Sequence, residues 1–384
     1  ADAVGEGGVM GSGFTPIYRI FRDEVDVTGN FNDRGLAIEV EFANQDFGDQ
    51  LRLSLDDRDW RIVAPAVGDW ITVYLGYEEV GLSYMGRFSI SEIVYSGPPR
   101  SLEIAASSFP VAGDLTAPDI QSFENKSLGE IVKSLGEKAG LQVEVHPALA
   151  AKVVPFLNKI ESASHVLGDL QRRFGGIFKI ADGRLIAVPR DAGRSVGDAV
   201  VPVLQLAPEH FRQWEVRHNA RTEYGQTSAS YFDPVDNVRK WVSAGPAGAA
   251  FAGLVGGDGP AFQIGQMFAS QGEAEAAAAA KMSALVRGSA TFTTTLAQGD
   301  PWIRDGQRVL VSGMRDGVDG SWVVARGVHR FDAGALQTSL EMTVNGNGEE
   351  YGSDAFLEDV LRPLPGEIMG KLIVGTNGMI AGGV

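Results

Sequence analysis

The sequence predicts a mainly β protein with an α/β insertion: two related small β-barrel domains, a small α/β domain between them, and a C-terminal extension. Three observations lead there. First, short runs of alternating apolar and polar residues recur along much of the 384-residue chain, the pattern of half-buried strands. Second, one internal stretch changes to helical spacing. Third, a block order occurs twice. Gly68-Asp-Trp-Ile-Thr-Val-Tyr-Leu-Gly76 matches Gly306-Gln-Arg-Val-Leu-Val-Ser-Gly313, Gly86-Arg-Phe-Ser-Ile90 matches Gly320-Ser-Trp-Val-Val324, and Ser101-Leu-Glu-Ile104 matches Ser339-Leu-Glu-Met342. Three ordered blocks with similar spacing point to a duplicated unit.

Residues 1–13 are glycine-rich and weakly patterned, the composition of an arm. The first barrel is expected over 14–117. Tyr18–Arg22, Leu36–Phe42 and Gln50–Leu55 alternate apolar and polar residues, so each buries one face. Asp56–Asp59 breaks the third run as a turn. Strands at Trp70–Gly76, Gly86–Val94 and Ser101–Ala106 complete the unit, and Gly97-Pro98-Pro99 falls between the last two, where proline spoils no ladder.

The α/β domain is expected over 118–190. Apolar residues at 128, 131, 132, 135 and 139 make a helical stripe. Ser127 and Glu130 form a capping box, and Gly140 suits the position after the helix. Leu141–Val145 reads as a strand and Ser162–Phe174 as a second helix. Ile177–Ile180 and Arg184–Val188 form a hairpin across Ala181-Asp182-Gly183. The second barrel is expected over 191–344. Within it Trp214–His218 and Gln226–Tyr231 are strands and Ala244–Gly265 is an Ala/Gly-rich loop. Gly272–Arg287 is a helix with acids near its start, bases near its end and Gly288 as its stop. Residues 345–384, with Pro363, Pro365 and Met369–Val374, read as an extension that is ordered by a partner.

Composition narrows the function. An apolar fraction of 44% supports real cores, and 49 glycines suit many turns. Cysteine is absent, which excludes disulfides and thiolate metal sites. The formal charge of −16 and the lack of any basic run argue against a protein that grips nucleic acid. Ala199–Ala207, the longest mostly apolar run, is too short to cross a bilayer, and no secretory signal is expected. The five histidines, at 146, 165, 210, 218 and 329, are scattered. No HExxH, phosphate-loop or nucleophile-elbow pattern occurs. The clusters Asp56–Asp59 and Asp316–Asp319 are explained by turn chemistry, because neither has the calcium-loop spacing. No catalytic, cofactor-binding or metal residues are assigned, and no enzyme activity is expected.

The repeated blocks, the Ser127–Leu141 helix, the Ser162–Pro189 unit, Gly272–Gly288 and Gly299–Thr343 together resemble the phage late control gene D family, the baseplate or tail-tip hub of contractile tails. They are more distantly similar to the hub part of type VI secretion spike proteins. The match covers most of Phe14–Thr343 and leaves out both ends. The resemblance implies a homotrimer whose six barrels form a ring, so that a threefold assembly offers sixfold geometry to the tail tube. It implies the tail tube protein, the central spike protein, other baseplate proteins and the tape measure protein as partners. It also implies a place in the virion tail baseplate after assembly in the bacterial host cytoplasm, and passage of DNA or effectors without specific binding or membrane anchoring. It lends no catalytic residues and no cofactor.

Two other readings compete: a cell-wall hydrolase at the tail tip, and a peptidoglycan-binding module in the α/β unit. Three further expectations follow from the hub reading. The inner wall of the ring is acidic, residues 345–384 reach the spike or a neighbouring baseplate protein, and Trp70 and Trp322, cousins in different blocks, both lie in the core.

Overall fold

The computed structural model describes residues 14–31, 33–43, 47–109, 115–190, 193, 195–197, 201–219, 224–246, 260–346 and 361–362. The arm at 1–13 and most of the extension beyond 346 lie outside them, as does 247–259 of the Ala/Gly-rich loop.

The first half supplies β1 (Pro16–Arg22), β2 (Val25–Asp26), β3 (Ala37–Ala43), β4 (Gln50–Asp56), β5 (Trp70–Tyr77), β6 (Gly81–Ser96) and β7 (Ser101–Ser107). They lie in the order β3-β4-β7-β6-β5-β1-β2. Strict alternation drives the curl: Leu51, Leu53 and Leu55 of β4 point inward while Gln50 and Arg52 stay in water. The inward residues, among them Ile38, Val40, Val73, Leu75, Phe88, Ile90, Leu102 and Ile104, form one core.

The α/β unit follows with β8 (Pro118–Ser127), α1 (Leu128–Lys138), β9 (Gln142–Val145), α2 (Pro147–Ala150), β10 (Val153–Ser162), α3 (Ala163–Phe174), β11 (Gly176–Ala181) and β12 (Arg184–Pro189). The capping box at Ser127 and Glu130 is present. Lys126 and Ser127 hold the Glu130 carboxyl down at about 2. Gly175, at φ 66°, ends α3 in the left-handed conformation. Strands β9, β12 and β11 form one small sheet and β8 with β10 a separate ribbon. Both pack around α1 and α3 through Ile131, Leu135, Val166, Leu170, Phe178 and Leu185.

The second half runs β13 (Val203–Leu206), β14 (Phe211–His218), β15 (Gln226–Asp233), β16 (Val238–Ala244), β17 (Ala261–Phe268), α4 (Gln271–Arg287), β18 (Ala290–Leu296), β19 (Arg308–Val311), β20 (Gly320–Asp332), β21 (Ala335–Val344) and β22 (Leu361–Arg362). Two expectations need correction here. Residues 261–265, read as loop, are the start of β17, and β16 was not foreseen. With β15 these strands make a three-stranded sheet of their own, β16-β15-β17, against α4. The remaining strands run β14-β18-β21-β20, with β19 on β20 and β13 on β19.

The duplication holds at the level of single hydrogen bonds. Val73 pairs with Gly86 and Val311 with Gly320. These glycines share φ values of 144° and 142°. Gly68 N–H donates to the Ile90 carbonyl (2.9 Å) and Gly306 N–H to that of Val324 (2.8 Å). A β-bulge follows Ile90 in the β6–β7 ladder and Val324 in the β20–β21 ladder. From these registers Phe88 and Trp322 are counterparts, each fully buried. Two sequence matches shift accordingly. The bulge equates Ala106, and not Ile104, with Met342, so the third block was aligned two residues out. Trp70 is not in the core. It is half-buried, with the Arg87 guanidinium 4.7 Å over its ring.

The halves keep separate cores but are joined edge to edge. Strand β20 pairs antiparallel with β3, from Arg326 opposite Ala43 to Asp332 opposite Ala37, which fuses them into one 14-stranded sheet. One strand breaks the repeat: β1 runs antiparallel to β5, while β13 runs parallel to β19.

Candidate assembly edges and the polar face

The fused sheet contains an unbroken run of eight strands, β14-β18-β21-β20-β3-β4-β7-β6. Every strand in it turns one face to the cores and the other to water. The watered face carries the carboxylates of Glu39, Glu41, Asp56, Glu92, Glu103, Glu215, Asp332 and Glu341. Besides Arg87, which lies over the Trp70 ring, it carries four arginines, Arg52, Arg217, Arg326 and Arg330, and no lysine. These arginines are matched locally. Arg326 bonds Glu41 at 2.6 Å, and Arg330 lies 2.9 Å from Asp332 and 3.5 Å from Glu39. Arg217 pairs with Glu215, and Arg52 stands directly opposite Glu39. The face is therefore polar, with acids in excess.

The two ends of the run are open among the described residues. By the registers above, β14 is the counterpart of β3: Val216 lies across from Phe292 as Val40 lies across from Leu51. The second half of β6, from Glu92 to Ser96, is the counterpart of the part of β20 that receives β3. So the chain makes this junction once internally, and the counterparts of its two pieces lie unjoined at the ends of the run among the described residues. Exposure follows the difference. Ile38 is buried at the internal junction, while its counterpart Trp214 is 45% exposed. His329 is fully buried, with Nδ1 on the Thr338 hydroxyl (3.0 Å) and Nε2 on the Ile303 carbonyl (3.1 Å), while its counterpart Tyr95 is 59% exposed. Exposed aromatic residues on unpaired edges are what strand addition buries.

A buried ion triad ties the three units together. Lys179 of β11 contacts Asp49, just before β4, at 2.7 Å and Asp305, before β19, at 2.5 Å. Burial, reinforced by the Asp305 charge, pushes the Asp49 carboxyl above its usual range even with Lys179 beside it. Burial opposes the charge on Lys179, but Asp305 and Asp49 outweigh it and raise the ammonium. Nearby, the Tyr77 hydroxyl donates to the Gly299 carbonyl (2.6 Å), and Arg304 bonds Ser83 across the same seam (3.2 Å). None of these residues was singled out from the sequence.

Among the described residues, Glu161, His165 and Asp169 are the group close enough to share a cation. Lys159 and Arg172 already neutralise Asp169, so the cluster reads as an ion-pair network. No described helix is long and apolar enough to cross a membrane.

This architecture recurs in known proteins. The chain is 25% identical over 375 residues to the probable baseplate hub protein of Escherichia phage P2, covering 90% of this chain and 97% of that protein. It is 24% identical over 377 residues to the probable baseplate hub protein of Escherichia phage 186, with the same coverage. Among solved structures, a tail protein from Neisseria meningitidis MC58 shares the fold with a TM-score of 0.63 at 10% identity, over 87% of this chain and 98% of that one. The 43 kDa tail protein of prophage MuSo2 from Shewanella oneidensis does so with a TM-score of 0.59 at 14% identity, over 86% and 97%. No family model matches the chain.

Proposed function

We propose, for a chain that belongs to the family of phage baseplate hub proteins, that three copies close into a ring joining the tail tube to the trimeric central spike. The observation that supports this reading is the internal β20–β3 junction, whose counterparts on β14 and β6 are left unjoined among the described residues. Within the chain β3 adds to β20. Between chains, β14 of one protomer adds to the second half of β6 of the next, and the same step taken three times closes the ring. Three runs of eight strands then make one continuous wall with alternating, near-equivalent joints, so a threefold assembly meets a sixfold tube without mismatch.

The polar face becomes the wall of the channel through which DNA or effectors pass. Its surplus carboxylates would repel a phosphate backbone over about a Debye length, ~8 Å at physiological salt. The division into 1–13, 14–117, 118–190, 191–344 and 345–384 belongs to the same proposal, with the last part reaching the spike, as do assembly in the host cytoplasm and contacts with other baseplate proteins and the tape measure protein. The role is structural and the hydrolase reading is not favoured.

On this reading the internal register carries over to the junction between protomers. Val40 opposes His329, so Val216 of one protomer opposes Tyr95 of the next. Because the chain has no cysteine, the double variant Val216→Cys/Tyr95→Cys gives a clean test. Oxidation is expected to yield covalent trimers, while Arg217→Cys with Tyr95→Cys, one residue out of register, places the thiols on opposite faces and yields none. Equal cross-linking by both pairs, or by neither, would reject the junction.

A further inference from the structure

The internal β20–β3 junction and the two free edges differ in the sizes of the side chains that meet. On the core side of the internal junction Phe331 stands opposite Ile38, His329 opposite Val40, and Gly327 opposite Phe42. The halves exchange aromatic rings there. Phe331 packs into the core of the first half, with its ring 4.9 Å from that of Tyr18, and Phe42 packs into the core of the second. Phe42 reaches its place because position 327 is glycine: a Cβ there would stand 2.3 Å from the Phe42 Cζ.

The counterpart row at the free edges keeps the middle pair in kind, Val216 with Tyr95, and redistributes the bulk on both flanks. On one flank Gly97 takes the place of Phe331 and Trp214 the place of Ile38. The Trp214 ring rests on its own half, 6.2 Å from that of the core residue Phe292. On the other flank Ile93 takes the place of Gly327 and His218 the place of Phe42. Crossed pairings therefore fit badly. Strand β3 set on β6 would drive Phe42 against Ile93 and leave Ile38 facing a glycine. Strand β14 set on β20 would drive Trp214 against Phe331 and leave His218 short of the space that Phe42 fills. Each wrong combination has an overpacked flank and an underfilled one, and both are unfavourable. We propose that these reciprocal sizes key the two junctions: each chain's own β3 stays on its β20, and the β14 edge selects the β6 edge of a second copy. Chains that share one strand-adding geometry are thereby kept from exchanging strands at the wrong joint. The inference rests on the ring reading and adds to it what decides which edge joins which.

The test is a compensation series on the full chain, read by sedimentation velocity across a dilution series. Gly97→Phe sets a ring opposite Trp214. Position 97 is exposed, and a Cβ there meets nothing closer than the Arg100 Cγ at 3.4 Å, so the single chain accepts it; unchanged circular dichroism establishes the fold. The concentration of half-assembly is expected to rise about tenfold or more. Adding Trp214→Ile recreates the Phe331–Ile38 pair of the internal junction and is expected to recover most of that loss, although Trp214→Ile alone weakens assembly. The other flank gives an independent variant: His218→Phe, also at an exposed position, sets a ring against Ile93 and weakens assembly likewise. A parent protein that stays monomeric at every concentration would overturn the ring reading and the keying with it. A trimeric parent whose Gly97→Phe and His218→Phe variants assemble as tightly, or whose Gly97→Phe/Trp214→Ile variant assembles no better than Gly97→Phe, would overturn the keying alone.

Discussion

Replacing Lys179 with methionine tests the junction of the three units. The side chain volume is nearly conserved, so packing changes little, but Asp49 and Asp305 are left facing each other in a site where the three side chains are only 7–16% exposed. Removing one partner of a buried ion pair typically costs ~3–5 kcal/mol, because the remaining charge stays desolvated. Here two carboxylates remain, and the upper part of that range is expected at pH 7. The pH dependence carries the sign. Asp49 already lies above its ordinary value in the intact protein. In the variant, with Lys179 gone and the Asp305 charge still beside it, Asp49 stands further above the unfolded value of about 3.9. A group raised on folding contributes stability below its unfolded pKa and loses it as pH rises through the folded one. The gap between Lys179→Met and the parent protein, measured by urea unfolding, is therefore widest near neutrality and narrows as pH falls toward about 4. Adding Asp49→Asn and Asp305→Asn to the variant recovers most of the loss. A Lys179→Met protein within about 1 kcal/mol of the parent at pH 7, with a gap that does not move with pH, would refute the reasoning.

Other expectations follow from the same geometry. Trp322→Ala costs ~3–5 kcal/mol, because the ring is fully buried and its Nε1–H bonds the Val318 carbonyl. Trp70→Ala, which removes a half-buried ring under Arg87, costs well under half of that; similar losses by urea titration would undo the distinction. Gly327→Ala puts a Cβ 2.3 Å from Phe42 Cζ at the internal β20–β3 junction, and a loss of ~1–3 kcal/mol is expected from overpacking; a neutral result would mean that the junction yields easily. Ser127→Ala removes the acceptor at the start of α1 and lowers stability by about 1 kcal/mol, readable by hydrogen exchange in that helix.

The repeat was legible because its anchors are glycines in conformations that other residues resist, Gly86 and Gly320 above all. The two-residue error in the third block has a simple cause. Strand alternation has period two, so Ser101-Leu-Glu-Ile104 slides by one repeat against Ser339-Leu-Glu-Met342 without changing which side chains face the core. Helices α1, α3 and α4 were readable from caps, stripes and end charges, whereas the single turn of α2 was not foreseen. Strand β16, however, is mostly exposed, and β17 pairs in parallel with a strand well before it in the chain, so neither carries a clean local pattern. Glu273 looked like a helix-start acid, yet it is buried against Arg173. The Asp49–Lys179–Asp305 triad gives no local signal at all, since Lys179 and Asp305 are 126 residues apart. The edges of β14 and β6 likewise became candidates only when their counterparts were seen to be joined.

Everything rests on one chain carrying both halves of a junction that three chains complete. Native mass spectrometry of the purified protein tests that directly. A closed species of three copies is expected, collapsing to single chains when β14 is blocked by Val216→Pro. A protein that stays monomeric, forms closed dimers, or grows into an open series of sizes would contradict it.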